Sequence, residues 1–217
     1  MSLVEQAYRK IKARILDNQY GPRYQALEQD IANDLGMSRT PVREALIRLE
    51  NEGLVTCIPR RGMRVVPLSA DDMREIYQLL TGLETTAVDL LARKHPRPKD
   101  ISILNDAMDQ MERALEENDL PAWARADEQF HKSLLELCGN RRLADMANTV
   151  LDQAHRARWV TLTLRPIPWD SNTEHRNTYR AVLEGDWAKA RKCHYDHLLR
   201  AASILLKILE EDQLREL

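Results

Sequence analysis

Apolar residues recur every three to four positions along most of the chain, the spacing that places them on one side of a helix. Leu3, Ala7, Ile11, Ile15 and Leu16 predict a first helix over residues 3–18, broken at Tyr20-Gly21-Pro22. Leu27, Ile31, Ala32 and Leu35 predict a short second helix over 27–35, followed by a tight turn at Gly36-Met37-Ser38. Val42, Ala45, Leu46 and Leu49 form one stripe of a third, amphipathic helix. The hydroxyl of Ser38 or Thr40 suits its start, Pro41 its first turn, and Gly53 its left-handed end. The pattern then changes. Leu54-Val55-Thr56-Cys57-Ile58 and Met63-Arg64-Val65-Val66 are β-prone runs joined by Pro59-Arg60-Arg61-Gly62, which predicts a hairpin.

Pro67-Leu68-Ser69 reads as a linker, with Ser69 placed to cap the next helix and Asp71 and Asp72 suited to its positive end. Beyond it the helical period runs through about 70–94, 100–117, 121–137, 141–165, 172–184 and 187–211, with no strand, repeat or low-complexity tract. Breaks fall at His95-Pro96-Arg97-Pro98, Asn118-Asp119-Leu120-Pro121, Gly139-Asn140, Arg165-Pro166-Ile167-Pro168 and Glu184-Gly185-Asp186. The expected fold is mainly α. Residues 1–67 form a winged helix-turn-helix domain of three helices and a hairpin wing, and residues 68–217 an all-α bundle of six or seven helices.

Composition narrows the class without changing the picture. With 217 residues, 43% hydrophobic and 30% charged, the chain is an ordinary globular protein, and its single Phe leaves the core to Leu, Ala, Ile and Val. No apolar run approaches the ~20 residues that span a bilayer, and Met1-Ser2-Leu3-Val4-Glu5 lacks the marks of a signal peptide. Cys57, Cys138 and Cys193 lie far apart without a Cys-x-x-Cys pair, so they read as buried side chains in a reducing cytoplasm. The net charge of −2 is unevenly spread: residues 1–66 carry 11 Lys/Arg against 8 Asp/Glu, and the remainder 21 against 26. A basic N-terminal part on an acidic body suits a nucleic-acid reader with a separate regulatory domain.

Two sets of residues carry candidate chemistry. Arg39, Thr40 and Arg43 stand at the N-terminal end of the third helix, beside its apolar stripe. Such an end fits a DNA major groove, where Arg can form two hydrogen bonds to guanine. Arg60 and Arg61 at the wing tip suit the backbone or the minor groove. The second set lies in the bundle. Trp123, Ala126, Phe130, Leu134 and Leu137 share a helix face with Asp127 and His131; His175 shares one with Thr178, Tyr179 and Val182, and His197 or His194 one with Leu198, Ala201 and Ile204. A buried carboxylate needs a partner, and His131, one turn on, is the nearest for Asp127. Three helices that each direct an ionisable group inward match the way bundles build metal sites, although hydrogen-bonded core histidines are the plainer reading. One Asp and three His suit a divalent transition ion, Zn²⁺ foremost, then Ni²⁺, Mn²⁺ or Fe²⁺.

Ser38-Arg39-Thr40-Pro41-Val42-Arg43-Glu44-Ala45-Leu46, with Glu52-Gly53-Leu54-Val55 and Arg60-Arg61-Gly62, resembles the GntR family of bacterial transcription regulators over residues 3–67. The resemblance implies a homodimer reading a palindromic operator, with Arg39, Thr40, Arg43, Arg61 and Gly62 at the DNA; Ser38, Arg48 and Arg60 complete the expected contact set. Gln29 stands where the family often has a phosphate-binding Arg. Asp127-Glu128-Gln129-Phe130-His131, Glu174-His175-Arg176 with Gly185-Asp186, and His197-Leu198 resemble the metal-binding form of the FCD effector domain, which defines the FadR-like branch of the family. That likeness implies a metal on Asp127, His131, His175 and His197, selecting His197 over His194, and a small carboxylate effector completing its coordination. Leu80 occupies the slot of a carboxylate-holding Arg in the family, so Arg156 and Arg158 are the expected substitutes.

The expectation is a cytoplasmic, nucleoid-associated DNA-binding regulator, a repressor by family habit, that is neither an enzyme nor membrane-bound and answers to a carboxylate at a bundle metal. Its rivals are a sensor for which the ion itself is the signal, a metal-dependent enzyme, and a purely structural ion.

Overall fold

The computed structural model describes residues 1–211, which fall into two compact units, residues 1–69 and residues from Ala70 onward. Residues 212–217, the end of the expected second domain, lie outside the described residues.

In the first unit, α1 (Leu3–Leu16) opens at Ser2, whose hydroxyl accepts a hydrogen bond from the Glu5 N–H at 3.1 Å. α2 (Glu28–Leu35) ends at Gly36 with φ 65°, a left-handed residue that lets the chain turn sharply into α3 (Arg39–Asn51). Ser38 occupies the N-cap position of α3 with extended backbone, but its side chain makes no capping bond, contrary to expectation. The stripe read from the sequence is the buried one: Val42, Ala45, Leu46 and Leu49 pack with Ala7, Ile11, Ile15, Ile31 and Ala32 in a single core. β2 (Val55–Ile58) and β3 (Gly62–Val65) form the hairpin, and β1 (Gln25–Ala26) adds a short third strand in the order β1-β3-β2, all antiparallel. Gln25 faces Arg64 and Ala26 faces Met63 in that register. The left-handed φ of Gly62, 78°, and the 2.0 Å that would separate an added Cβ from the Ala26 carbonyl oxygen both require glycine there.

The second unit consists of α4 (Ala70–Ala92), α5 (Ser102–Glu116), α6 (Leu120–Leu137), α7 (Arg141–Val160), α8 (Trp169–Glu184) and α9 (Trp187–Glu210). Short 3-10 turns at Pro98–Ile101 and Leu162–Leu164 replace the ends of two expected helices. Asp119, Asn140 and Asp186 open α6, α7 and α9 by accepting the N–H of the residue three ahead. α4 packs against α6, α7, α8 and α9, and α5 against α6 and α8, so α6, α8 and α9 present residues to a common interior. Among the described residues no helix is long and apolar enough to cross a membrane. The cysteines form no disulfide; Cys138 is buried, whereas Cys57 and Cys193 are only partly so, contrary to expectation.

Candidate metal centre and nucleic-acid interface

On the first unit, a concave surface between α2, α3 and the wing is lined by Gln29, Arg39, Arg43, Ile47, Arg60 and Gly62. The start of α3 and the wing tip thus share one face. Ser38, Arg39, Thr40, Arg43, Arg60 and Arg61 are all exposed. The Arg39 guanidinium lies 3.5 Å from Glu28, and among the described residues nothing hydrogen-bonds that of Arg43. Gln29, in the slot of the family's arginine, donates to Asn33 at 2.8 Å. Arg48 differs from the rest. Its guanidinium lies 3.6 Å over the Tyr8 ring, 2.9 Å from Glu5 and 3.5 Å from Glu52. It braces α3 against α1.

In the second unit the sequence-predicted donors come together. Asp127 and His131 project from α6, His175 from α8 and His197 from α9, and all four are buried. One ring nitrogen of each of His131, His175 and His197 lies within 4.8 Å of the others. His175 Nε2 is 3.0 Å from Asp127 Oδ1, and His131 Nε2 is 3.8 Å from the same oxygen. Asp127 therefore pairs most closely with His175, not with its helical neighbour His131, because His131 turns its other nitrogen elsewhere. Phe130 closes one side, its ring centroid 4.3 Å from that of His175.

Each outer imidazole has an acid behind it. His131 Nδ1 is 2.6 Å from Glu84 Oε2, and His197 Nδ1 is 2.7 Å from Glu174 Oε2. A carboxylate only accepts, so both imidazoles donate from Nδ1, and in the neutral ring this leaves the Nε2 lone pair for the interior. Glu174 is gripped by Arg200, with Nε and Nη2 each 2.6 Å from its oxygens. His194, the histidine that spacing alone could not separate from His197, is also buried but donates from Nε2 to Glu84 at 2.8 Å. His131 Nε2 and His175 Nδ1 are buried and lack hydrogen-bond partners among the described residues.

The electrostatics suit a cation. Burial pushes Asp127 up, but the His175 hydrogen bond and the charges of His131 and Arg158 outweigh it and hold the carboxyl well below its usual range. Burial lowers His175 to about 4 despite Asp127, and burial with the neighbouring His175 lowers His197 to about 3. Both imidazoles are therefore neutral at physiological pH, the form that ligates metal. Burial opposes but does not cancel the influence of Glu84 and Asp127, which raise His131. Burial raises Glu174 and the partners His197 and Arg200 bring it down to about 2. One carboxylate, three imidazoles and an orphaned inward nitrogen fit Zn²⁺ or a neighbouring transition ion better than an all-oxygen ion such as Mg²⁺.

Arg158, an effector candidate from the sequence, and three residues that sequence reasoning did not single out complete the surroundings. Arg158 lies near Asp127, its Nε 3.8 Å from Oδ2, with Nε and Nη2 buried and without a hydrogen-bond partner among the described residues. Arg165 donates from Nη2 to the Arg158 carbonyl at 2.7 Å and leaves its buried Nε unpaired; the Tyr77 hydroxyl is likewise buried and unpaired. Glu84 is the third, and it carried a readable signal: a carboxylate in the stripe Leu80, Ala87, Val88 and Leu91. Arg156 is buried too, but the charge it feels is that of Asp72, and burial lowers it to about 10.

Comparison with known proteins agrees with this division. The family described as bacterial regulatory proteins, gntR family, matches residues 3–65, and the FCD domain matches residues 75–200. An HTH-type transcriptional regulator in the TAR-I ttuE-ttuC′ intergenic region of Agrobacterium vitis is 46% identical over 134 residues, covering 61% of this chain and 78% of that protein. The HTH-type transcriptional repressor GlaR of Escherichia coli K12 is 26% identical over 210 residues, 91% of this chain and 93% of its own. The solved structure of E. coli McbR/YncC superposes with a TM-score of 0.86 over 96% of this chain and 99% of that one, and at 20% identity this likeness is one of fold.

Proposed function

This chain belongs to the gntR family of bacterial regulatory proteins, with an FCD domain as its second unit, and from that premise we propose that it is a metal-dependent, carboxylate-responsive repressor. As a member of that family it is a DNA-binding transcriptional regulator and not an enzyme. The finer reading is ours. A homodimer in the cytoplasm binds a palindromic operator, each protomer using the face that carries Ser38, Arg39, Thr40, Arg43, Arg60, Arg61 and Gly62. Arg48 takes an indirect part by fixing α3, since Tyr8, Glu5 and Glu52 hold its guanidinium. The repressor sign is supported by the name of the relative GlaR.

The single observation that carries the sensing half is the convergence of Asp127, His131, His175 and His197 from three helices, buried, with two imidazoles neutral. These four would hold a divalent ion, Zn²⁺ foremost, which supplies a Lewis-acid seat for an oxygen ligand. Buried N–H groups of Arg158 and Arg165 that lack hydrogen-bond partners among the described residues support an anion beside that seat, because a buried donor left unsatisfied is costly. A small carboxylate meets both demands. Arg156 feels the charge of Asp72 and is not needed in this reading. The acid changes operator affinity to the extent that it binds one bundle conformation better than another.

The test is an operator selected from random DNA, followed by binding measured while metal and a panel of small carboxylic acids are titrated separately. A response to acid only when metal is loaded supports the proposal. A response to metal alone makes the ion the signal, and operator binding indifferent to both overturns the sensing role.

A further inference from the structure

Glu84 sits on α4, fully buried, and one of its oxygens, Oε2, receives two imidazole N–H groups: His131 Nδ1 at 2.6 Å and His194 Nε2 at 2.8 Å. The same three side chains are spaced closely enough to suggest a second metal site. The short distances argue otherwise. Two ligand atoms on one tetrahedral ion with bonds of ~2.0–2.1 Å stand roughly 3.3 Å apart, and these pairs are at hydrogen-bond distance. We infer that Glu84 and His194 are a positioning pair: Glu84 fixes His131 as the Nδ1–H tautomer, which aims the Nε2 lone pair at the metal centre, and His194 holds Glu84 in place.

The inference rests on the proposed metal at Asp127, His131, His175 and His197. Its physical content is the choice of tautomer. An anionic oxygen cannot donate, so the nitrogen facing Glu84 carries a proton, and in the neutral ring that an ion binds the opposite nitrogen is then bare. His131 Nε2 is the buried, unpaired atom, and it faces Asp127. Without Glu84 the proton is free to sit on Nε2, where an ion needs a lone pair. His194 matters because a carboxylate with a single partner can rotate away. A second N–H on Oε2, delivered from α9, gives the rotamer a hold independent of α6. The pair also separates two histidines one turn apart: His197 turns its Nδ1 to Glu174, while His194 gives its Nε2–H to Glu84.

The experiment uses the full chain with Zn²⁺ and Co²⁺ as probes. Zinc affinity is measured by competition with a chromophoric chelator for wild type, Glu84→Gln, His194→Leu and His194→Gln. Glu84→Gln is expected to lower affinity about 10- to 100-fold, the range seen when an outer partner of a metal-bound His is removed, while one ion per chain is retained. Its Co²⁺ absorption bands should shift, since His131 is no longer fixed. His194→Leu should weaken binding less, and His194→Gln, which keeps an N–H donor, should restore it. Two-bond proton–nitrogen spectra of zinc-loaded wild type should show His131 protonated at Nδ1, a readout that needs no variant to fold. Unchanged affinity in Glu84→Gln, a second zinc per wild-type chain, or an Nε2–H tautomer of His131 overturns the positioning role alone. A wild type that takes up no ion overturns the metal reading itself.

Discussion

Replacing Arg43 with Ala and, separately, Arg48 with Ala should give opposite phenotypes, although the two arginines lie on one helix five residues apart. Arg43 lines the concave face with Arg39 and Arg60, and among the described residues no acid holds its guanidinium. It is free to read a base edge, and losing one bidentate contact costs about 1–3 kcal/mol, or roughly 5- to 150-fold in affinity. The loss should fall on one base pair of each half-site, leaving the salt dependence of binding nearly unchanged, because no phosphate contact is lost. Arg48 is half exposed but stacks 3.6 Å over Tyr8 and pairs with Glu5 and Glu52. Removing it should destabilise the first unit by about 1–2 kcal/mol, a stacking contribution plus solvent-screened ion pairs, with base preference intact. Fluorescence anisotropy on the selected operator and its single-base variants, with thermal melts alongside, separates the two. If Arg43→Ala keeps both affinity and base preference, or Arg48→Ala erases the preference at one base pair, the assignment of the reading face is wrong.

Three further outcomes follow from the geometry. Gly62→Ala should cost about 2 kcal/mol or more, seen as a lower midpoint in urea unfolding, since a Cβ there collides with the Ala26 carbonyl in a left-handed conformation. In chelator-treated protein, His175 titrates near 4 when folded and near 6.5 when unfolded, so the unfolded chain binds more protons between those values and stability falls as pH drops through them. By pH 5 the loss from His175 is about 2 kcal/mol, and a His175→Asn variant should lack that share in melts compared between pH 7 and 5. Zinc at a hundredfold excess over its Kd should stabilise wild type by about 2.7 kcal/mol, and His175→Asn should lose most of that gain in the same melts.

The apolar stripes carried most of the fold. Val42, Ala45, Leu46 and Leu49 are buried as their spacing requires, and the breaks at Pro and Gly fall between helices as read. β1 was not legible, because two residues have no period and Gln25–Ala26 extends only since Arg64 and Met63, far along the chain, offer it an edge. Asp127, His131, His175 and His197 stood out because polar groups interrupted apolar faces. Which acid each one meets was hidden, since pairing joins α6 to α8 and α4, and α9 to α8, across sequence gaps that spacing does not measure. Arg165 closed the expected helix 141–165, but α7 ends at Val160 and the chain turns before Arg165, so the helical period could not show which way it points.

The strand order β1-β3-β2 has a consequence for the choice of operator. Because Gln25 and Ala26, just upstream of α2, are stitched to the middle strand of the hairpin, the wing does not hang from the chain by its own two strands. Arg60 on the tip and Arg39 and Arg43 on α3 behave like the two jaws of a caliper set at one opening. If these residues meet DNA as proposed, a half-site with the right bases but a groove too wide or too narrow for that gap should bind poorly, so that the girth of the DNA would count as well as its letters.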